Sequence, residues 1–255
     1  MNKSLLKQLL FKINRFSSEL NYGREIISDF VKQISDKWPN ENVIRVLDVG
    51  CGSGKDLINV QKILLNKLNK KIELYGIDYR EEDSINAKNI GIEIFTLDIE
   101  HEEFPFDSNY FNLIIANQVF EHIKEIFWVL SECSRVIRTN GHLIVGIPNI
   151  AALHNRFLLL MGKQPTCMHI VGPHVRGFTL KEFREFLETD DVFKVLKCGA
   201  SNLFPLPQLF SRFTLKLFPG LGITLLFLCK RQDSDGNILK TIANKKFETN
   251  YLLGS

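Results

Sequence analysis

The pattern of apolar and polar positions divides the chain into short buried runs separated by amphipathic ones. Residues 22–37, "YGREIISDFVKQISDK", set Ile26, Ile27, Phe30, Val31 and Ile34 on one helical face, which predicts a helix buried along that side. Val43, Ile44, Val46 and Leu47 then form a compact apolar run that reads as a strand, and Leu57, Ile58 and Val60 begin a helix extending to about residue 69. Segments 71–80, 92–100, 111–118 and 141–149 read as further strands, with a helix over 122–137. Strands alternating with helical stretches predict a parallel sheet with crossover helices.

The last third of the chain has a different pattern. "TLKEFREFLETD" (179–190) predicts a helix with Thr179 as N-cap and Glu182 as its capping-box partner. Segments 192–200 and 222–231 are two more strands. The stretch between them, 201–219, holds a short helix rich in Phe and Leu and leaves no room for an ordinary crossover. Core packing suits that helix better than a membrane surface or a lid, because Arg212, Lys216 and the serines give it only a narrow polar side. The expectation is an α/β fold: a seven-stranded, mostly parallel, doubly wound sheet with an antiparallel closing strand and a helical cap. The main domain would cover 41–230, with the cap inserted at about 150–178. N-terminal helices would occupy 1–40, and a polar tail, 231–255, would be loosely ordered or packed on a partner.

Composition narrows the function classes. A net charge of +3 over 255 residues gives no case for nucleic acid. Five widely spaced cysteines suit neither a disulfide framework nor a zinc site, which points to reduced thiols and a cytoplasmic setting. The N-terminus lacks the apolar core and cleavage site of a secretory signal. The longest apolar run, 217–229, contains a proline and two glycines and is too short to span a bilayer, so no stable membrane insertion is expected.

The chemistry concentrates in "VIRVLDVGCGSGKD" (43–56), where Gly50, Gly52 and Gly54 follow a strand and precede a helix. Such a turn lets backbone approach a ligand closely. A P-loop would need a Ser or Thr after Lys55, where Asp56 stands and would repel a triphosphate. A dinucleotide-binding fingerprint would need glycine at the position of Lys55.

Asp48-x-Gly50-x-Gly52-x-Gly54 instead resembles the first motif of the class I S-adenosylmethionine (SAM)-dependent methyltransferases, and later landmarks over 43–149 follow in the same order. The resemblance implies SAM as cofactor and S-adenosylhomocysteine as product. It implies that Gly50 and Gly52 pass beneath the amino-acid tail of SAM and that Asp48 holds its ammonium group. Asp78 would accept hydrogen bonds from the ribose hydroxyls and Tyr79 would flank the adenine. Asp98 would bind the adenine amine beside the backbone of Ile99, and Asn117 and Gln118 would lie next to the methionine moiety. Upstream, Arg24 would pair with the SAM carboxylate and Tyr22 would line the pocket; a solvated arginine at a helix start is the alternative.

The acceptor side is read from two clusters. His122 follows the fourth strand and is a candidate general base, or a residue that shapes the pocket. The insertion after the fifth strand carries His154, His169 and His174 with Arg156 and Arg176. His174 and Arg176 would accept a proton and hold an anionic group, or belong to a solvated loop. His169 and Asn149 are further candidate substrate contacts. No H-x-x-x-H or H-x-H pair is present, so no metal is expected. Strand five ends Ile147-Pro148-Asn149, and with the insertion it resembles methyltransferases of small metabolites and surface polysaccharides. That resemblance implies methylation of an oxygen on a small-molecule or glycan-linked acceptor, in capsule or surface-polysaccharide modification, a phosphoryl or phosphoramidate-type group being conceivable. A non-catalytic methyltransferase-like partner subunit and an N-methyltransferase of a small metabolite remain as alternatives, and homo- or hetero-oligomers are compatible with either.

Overall fold

The computed structural model describes residues 21–38, 41–80, 82, 87–89, 91–204, 208–234, 236–245 and 251. Seven strands form one sheet: β1 (Val43–Val49), β2 (Lys71–Asp78), β3 (Glu93–Thr96), β4 (Phe111–Asn117), β5 (Ile137–Pro148), β6 (Phe193–Ser201) and β7 (Thr224–Arg231), in the order β3-β2-β1-β4-β5-β7-β6. All pairs from β3 through β5 are parallel, and β7 runs antiparallel to both β5 and β6. The chain moves outward from β1 to β2 on one side and to β4 on the other. The crevice between the two directions opens at the strands' C-terminal ends, where open α/β sheets bind ligands.

Helices cover both faces, so the central strands are apolar on both sides rather than alternating. β4, "FNLIIAN", is buried at every position before Asn117. On one face α1 (Arg24–Ser35) and α2 (Lys55–Lys67) bury Ile27, Phe30, Ile34, Leu57 and Leu64 against Ile44, Val46, Ile115 and Leu226. On the other face α3 (Ile126–Val136) and α5 (Leu180–Leu187) pack Val129, Cys133, Phe183 and Leu187 against Phe111, Val145 and Phe227. Each fully buried phenylalanine there stabilises the fold by about 1.5–3 kcal/mol relative to exposure. Thr179 caps α5 as its spacing predicts, its side chain accepting from Glu182 N.

The cap segment starts with α4 (Leu153–Leu160) and returns to the sheet at Phe178, whose backbone forms an isolated bridge with Asn149. Asn149 is 1% exposed; its amide donates to the carbonyls of Gly220 and Gly222, and its Oδ1 accepts from Ala151 N. The expected substrate-facing amide is thus a buried strut between the end of β5 and the turn before β7.

Three expectations change. The helix after the fourth strand, α3, begins at Ile126, not 122, because Gln118 adopts a left-handed backbone (φ 62°) and residues 118–125 form a loop. The Glu100 carboxylate accepts from Lys124 N and Glu125 N and so fixes the helix start. In 201–219, α6 (Gln208–Leu217) buries Leu215 but leaves Phe213 and Leu217 exposed, so packing takes only part of its apolar surface. The polar tail contains α7 (Ile238–Ala243), with Ile238 and Ile242 buried in the core beside α3. Tyr251 stacks edge-on against Phe127. Residues 1–20 and 39–40 of the expected N-terminal unit lie outside the described residues. No helix among the described residues is long and apolar enough to cross a membrane.

Candidate active site

The glycine turn joins β1 to α2 at the crevice. Gly50, Gly52 and Gly54 all have positive φ (71°, 47° and 75°), but their surroundings differ. A Cβ on Gly50 would stand 2.7 Å from Val119 Cγ2, and one on Gly54 would stand 2.9 Å from Ala87 and Ile92, whereas one on Gly52 would meet nothing within 4 Å. The outer two glycines serve packing, and the middle one faces the open crevice. Gly52 N also donates to Asp78 Oδ2 at 2.7 Å, while Arg80 N donates to Oδ1 at 2.9 Å. These two bonds orient the Asp78 carboxylate and leave it further acceptor sites. Tyr79 beside it is 76% exposed.

Beneath the turn lies a charged network. Arg24 Nε donates to Asp56 Oδ1 at 2.9 Å, and Asn117 Nδ2 donates to Asp56 Oδ2 at 3.1 Å. Arg24 also stacks over Tyr22. Asp48 is buried close by, and burial, reinforced by the charge of Asp56, holds its pKa well above the usual carboxylate range, with Arg24 partly opposing the rise. A cation seated here would reverse that penalty. Asn117 Oδ1 and Gln118 Nε2 are buried without hydrogen-bond partners and are available to a polar ligand. Gly146 on β5 makes room for Asn117, since a Cβ there would collide with Asn117 Oδ1.

Past β3, Asp98 accepts from His101 Nδ1 and Glu100 N, and these bonds, His101 first, keep its pKa below the ordinary value. Ile99 packs against the core at the same corner. The sequence-predicted cofactor residues therefore gather at the C-terminal ends of β1, β2, β3 and β4.

A second group lies after β4. His122 and His174, 52 residues apart, place their rings edge to face with centroids 4.7 Å apart. His122 Nδ1 donates to Pro173 O at 3.2 Å and His174 Nδ1 donates to Cys167 O at 2.7 Å, which leaves each Nε2 as the lone-pair nitrogen. Burial lowers the His122 pKa below the ordinary histidine value, so its ring is neutral at neutral pH. The cap loop is held to this corner by Val175 N donating to Glu121 O at 2.8 Å. His169 is exposed on the cap. Arg176 donates to Lys124 O and to the Tyr251 hydroxyl and lies over the Tyr251 ring, so its guanidinium braces the cap to the C-terminal segment.

An open α/β sheet with a glycine turn, a carboxylate at the end of the second strand and a buried acid at the end of the first defines a Rossmann-like methyltransferase fold. The sequence profile of the family described as "Methyltransferase domain" matches residues 40–190, and the chain belongs to that family. It is 28% identical over 135 residues to the ubiquinone biosynthesis O-methyltransferase of Pelagibacter ubique, covering 51% of this chain and 52% of that protein. It is 24% identical over 201 residues to the Dictyostelium discoideum protein named probable polyketide synthase 23, covering 72% of this chain but 8% of that much longer one. The chain thus spans about half or less of these curated relatives. Among solved structures, it is similar to the Haloferax volcanii complex of the Trm112 methyltransferase activator with a methyltransferase, with a TM-score of 0.56, 18% identity, and coverage of 84% of this chain and 94% of that one. A SAM-dependent methyltransferase from Thermotoga maritima has a TM-score of 0.54 at 14% identity, covering 87% and 96%.

Fold and family imply SAM as cofactor, and the residues fit it. Asp48 and Asn117 Oδ1 suit an ammonium group, Asp78 suits paired hydroxyls, and Gly52 leaves space for close approach. Two site residues escaped the sequence reading. Asp56 counted only as an obstacle to phosphate, although its place in the first turn of α2 marks it as a group facing the crevice. Glu121 precedes His122, and nothing in the local pattern shows that its carboxylate turns inward.

Proposed function

We propose that the protein transfers a methyl group from SAM to an oxygen of a small-molecule or glycan-linked acceptor. The observation that carries this reading is the pairing of His122 with His174 beside the cofactor crevice, each with an Nε2 lone pair turned away from its backbone bond. SAM supplies a methyl group already activated by its sulfonium. The protein's part is alignment and proton handling. Asp78 holds the ribose end, Asp48 and Asn117 hold the amino-acid end, and Arg24 keeps Asp56 in place between them. An acceptor hydroxyl loses its proton at the His122–His174 corner, which an amine, neutral at its reactive nitrogen, would not require. The oxygen acceptor of the Pelagibacter relative agrees with this choice.

The test is calorimetric titration with S-adenosylhomocysteine, followed by transfer of labelled methyl to panels of hydroxyl-bearing and amine-bearing acceptors. Micromolar binding that weakens about tenfold or more in Asp78→Ala is expected, because charge-assisted bonds to the ribose are lost. A folded protein that does not bind the ligand would sink the reading; label appearing only on amines would shift it to N-methylation.

A further inference from the structure

We propose that Glu121, His122 and His174 bind a first-row divalent cation at the acceptor end of the crevice, zinc being the ion that their donor set suits best. Each residue offers one ligating atom, and these atoms all lie within 4.8 Å of one another. His122 Nε2 is already 3.9 Å from Glu121 Oε1. Small rotamer adjustments bring such a set onto an ion with bonds of about 2.1 Å.

Two independent observations point to a ligand here. The Glu121 side chain is fully buried, yet neither of its carboxylate oxygens has a hydrogen-bond partner. A buried carboxylate without donors is costly, and a cation is the group that removes the cost while using both oxygens' lone pairs. Second, both imidazoles are already oriented as ligands. Metal-bound histidines donate their other ring N–H to a carbonyl or carboxylate, which fixes the tautomer. His122 does so to Pro173 and His174 to Cys167, so both Nε2 atoms carry lone pairs. The backbone bond from Val175 to Glu121 holds the cap loop, and with it His174, against the loop after β4.

Two histidines and one carboxylate leave coordination positions open, and the His122 side chain is 40% exposed, so an acceptor oxygen can reach the ion. With the ion bound, both Nε2 lone pairs are occupied, so the histidines act on the acceptor through the ion, which lowers the pKa of a ligated hydroxyl and releases its proton to solvent, in place of taking that proton themselves. This purpose rests on the proposed O-methyl transfer; the ligand set does not. The sequence offered no metal spacing because the third ligand lies 52 residues beyond the second and arrives only when the cap folds back.

The full chain, stripped with a chelator, would be titrated with Co²⁺ while its visible d–d absorption is followed, and Zn²⁺ would then be added as competitor. One equivalent of Co²⁺ is expected to bind, be displaced by Zn²⁺, and bind at least about tenfold more weakly in His174→Gln and Glu121→Gln. Thermal unfolding and S-adenosylhomocysteine affinity of the same variants would show that they are folded. Absent Co²⁺ binding, or unchanged binding in folded His174→Gln, overturns the site even if the cofactor product still binds. Metal binding in a protein that ignores S-adenosylhomocysteine would uphold the site and remove the methyl-transfer reading instead.

Discussion

Three glycines within five residues divide two tasks between them, and substitution separates the tasks. At Gly52 an added methyl group meets no protein atom, so Gly52→Ala carries only the strain of a left-handed backbone, about 1–2 kcal/mol. The methyl would project into the space assigned to the cofactor. The expected outcome is a modest fall in Tm with S-adenosylhomocysteine affinity weakened about tenfold or more. Gly50→Ala adds a contact 2.7 Å from Val119 Cγ2 to the same strain. Its loss of stability should reach about 2–4 kcal/mol by chemical denaturation. Equal effects of the two changes on both readouts would contradict this division. The triplet and Asp78 were legible in the sequence because each sits at the C-terminal end of a strand, where one-dimensional order and three-dimensional position coincide. The partnership of Arg24 with Asp56 and that of His122 with His174 span 32 and 52 residues, and only the folded sheet brings them together.

Among the elements, one side chain braces the turn that leads into β7. Asn149 ties two carbonyls of the 219–222 turn to the end of β5. Asn149→Ala would orphan the buried Gly222 carbonyl and leave the part-exposed Gly220 carbonyl only its long bond from Arg156, and should cost about 1–3 kcal/mol of unfolding free energy, while Asn149→Asp, which cannot donate, should do no better. A change in cofactor affinity without a loss of stability would instead restore the substrate-contact role. Strand and helix types were readable from period alone, and the N-cap at Thr179 marked one boundary. Boundaries failed where a tertiary partner sets them. The start of α3 depends on Glu100, a residue on the other side of β4 in the chain, and α7 is too short and too polar to announce a buried face.

For the whole molecule, the two most buried histidines make stability acid-sensitive. His142, on β5, sits edge-on to Trp38 with neither ring nitrogen bonded, and burial, aided by Lys37, Lys230 and Arg138, lowers its pKa to about 4. His154 on α4 is lowered to about 4 by burial alone. Both titrate near 6.5 in the unfolded chain. The unfolded state therefore binds more protons between these values. Their contribution is fully present above pH 6.5 and is lost as pH falls toward 4. At pH 5 the loss should be on the order of 1–2 kcal/mol per histidine. His142→Leu should flatten the fall of Tm between pH 7 and pH 5; an unchanged slope would show that this ring does not carry it.

The sheet order also sets a sequence of events. β6 occupies the edge and pairs only with β7, which follows it in the chain and lies between it and β5. β6 therefore joins the sheet only through β7, either after β7 has docked on β5 or as a pair already formed with it. Until β7 docks the edge of β5 stays open, so the slow step of assembly should be the insertion of 224–231, and changes in β7 should slow folding more than equal losses of stability in β6.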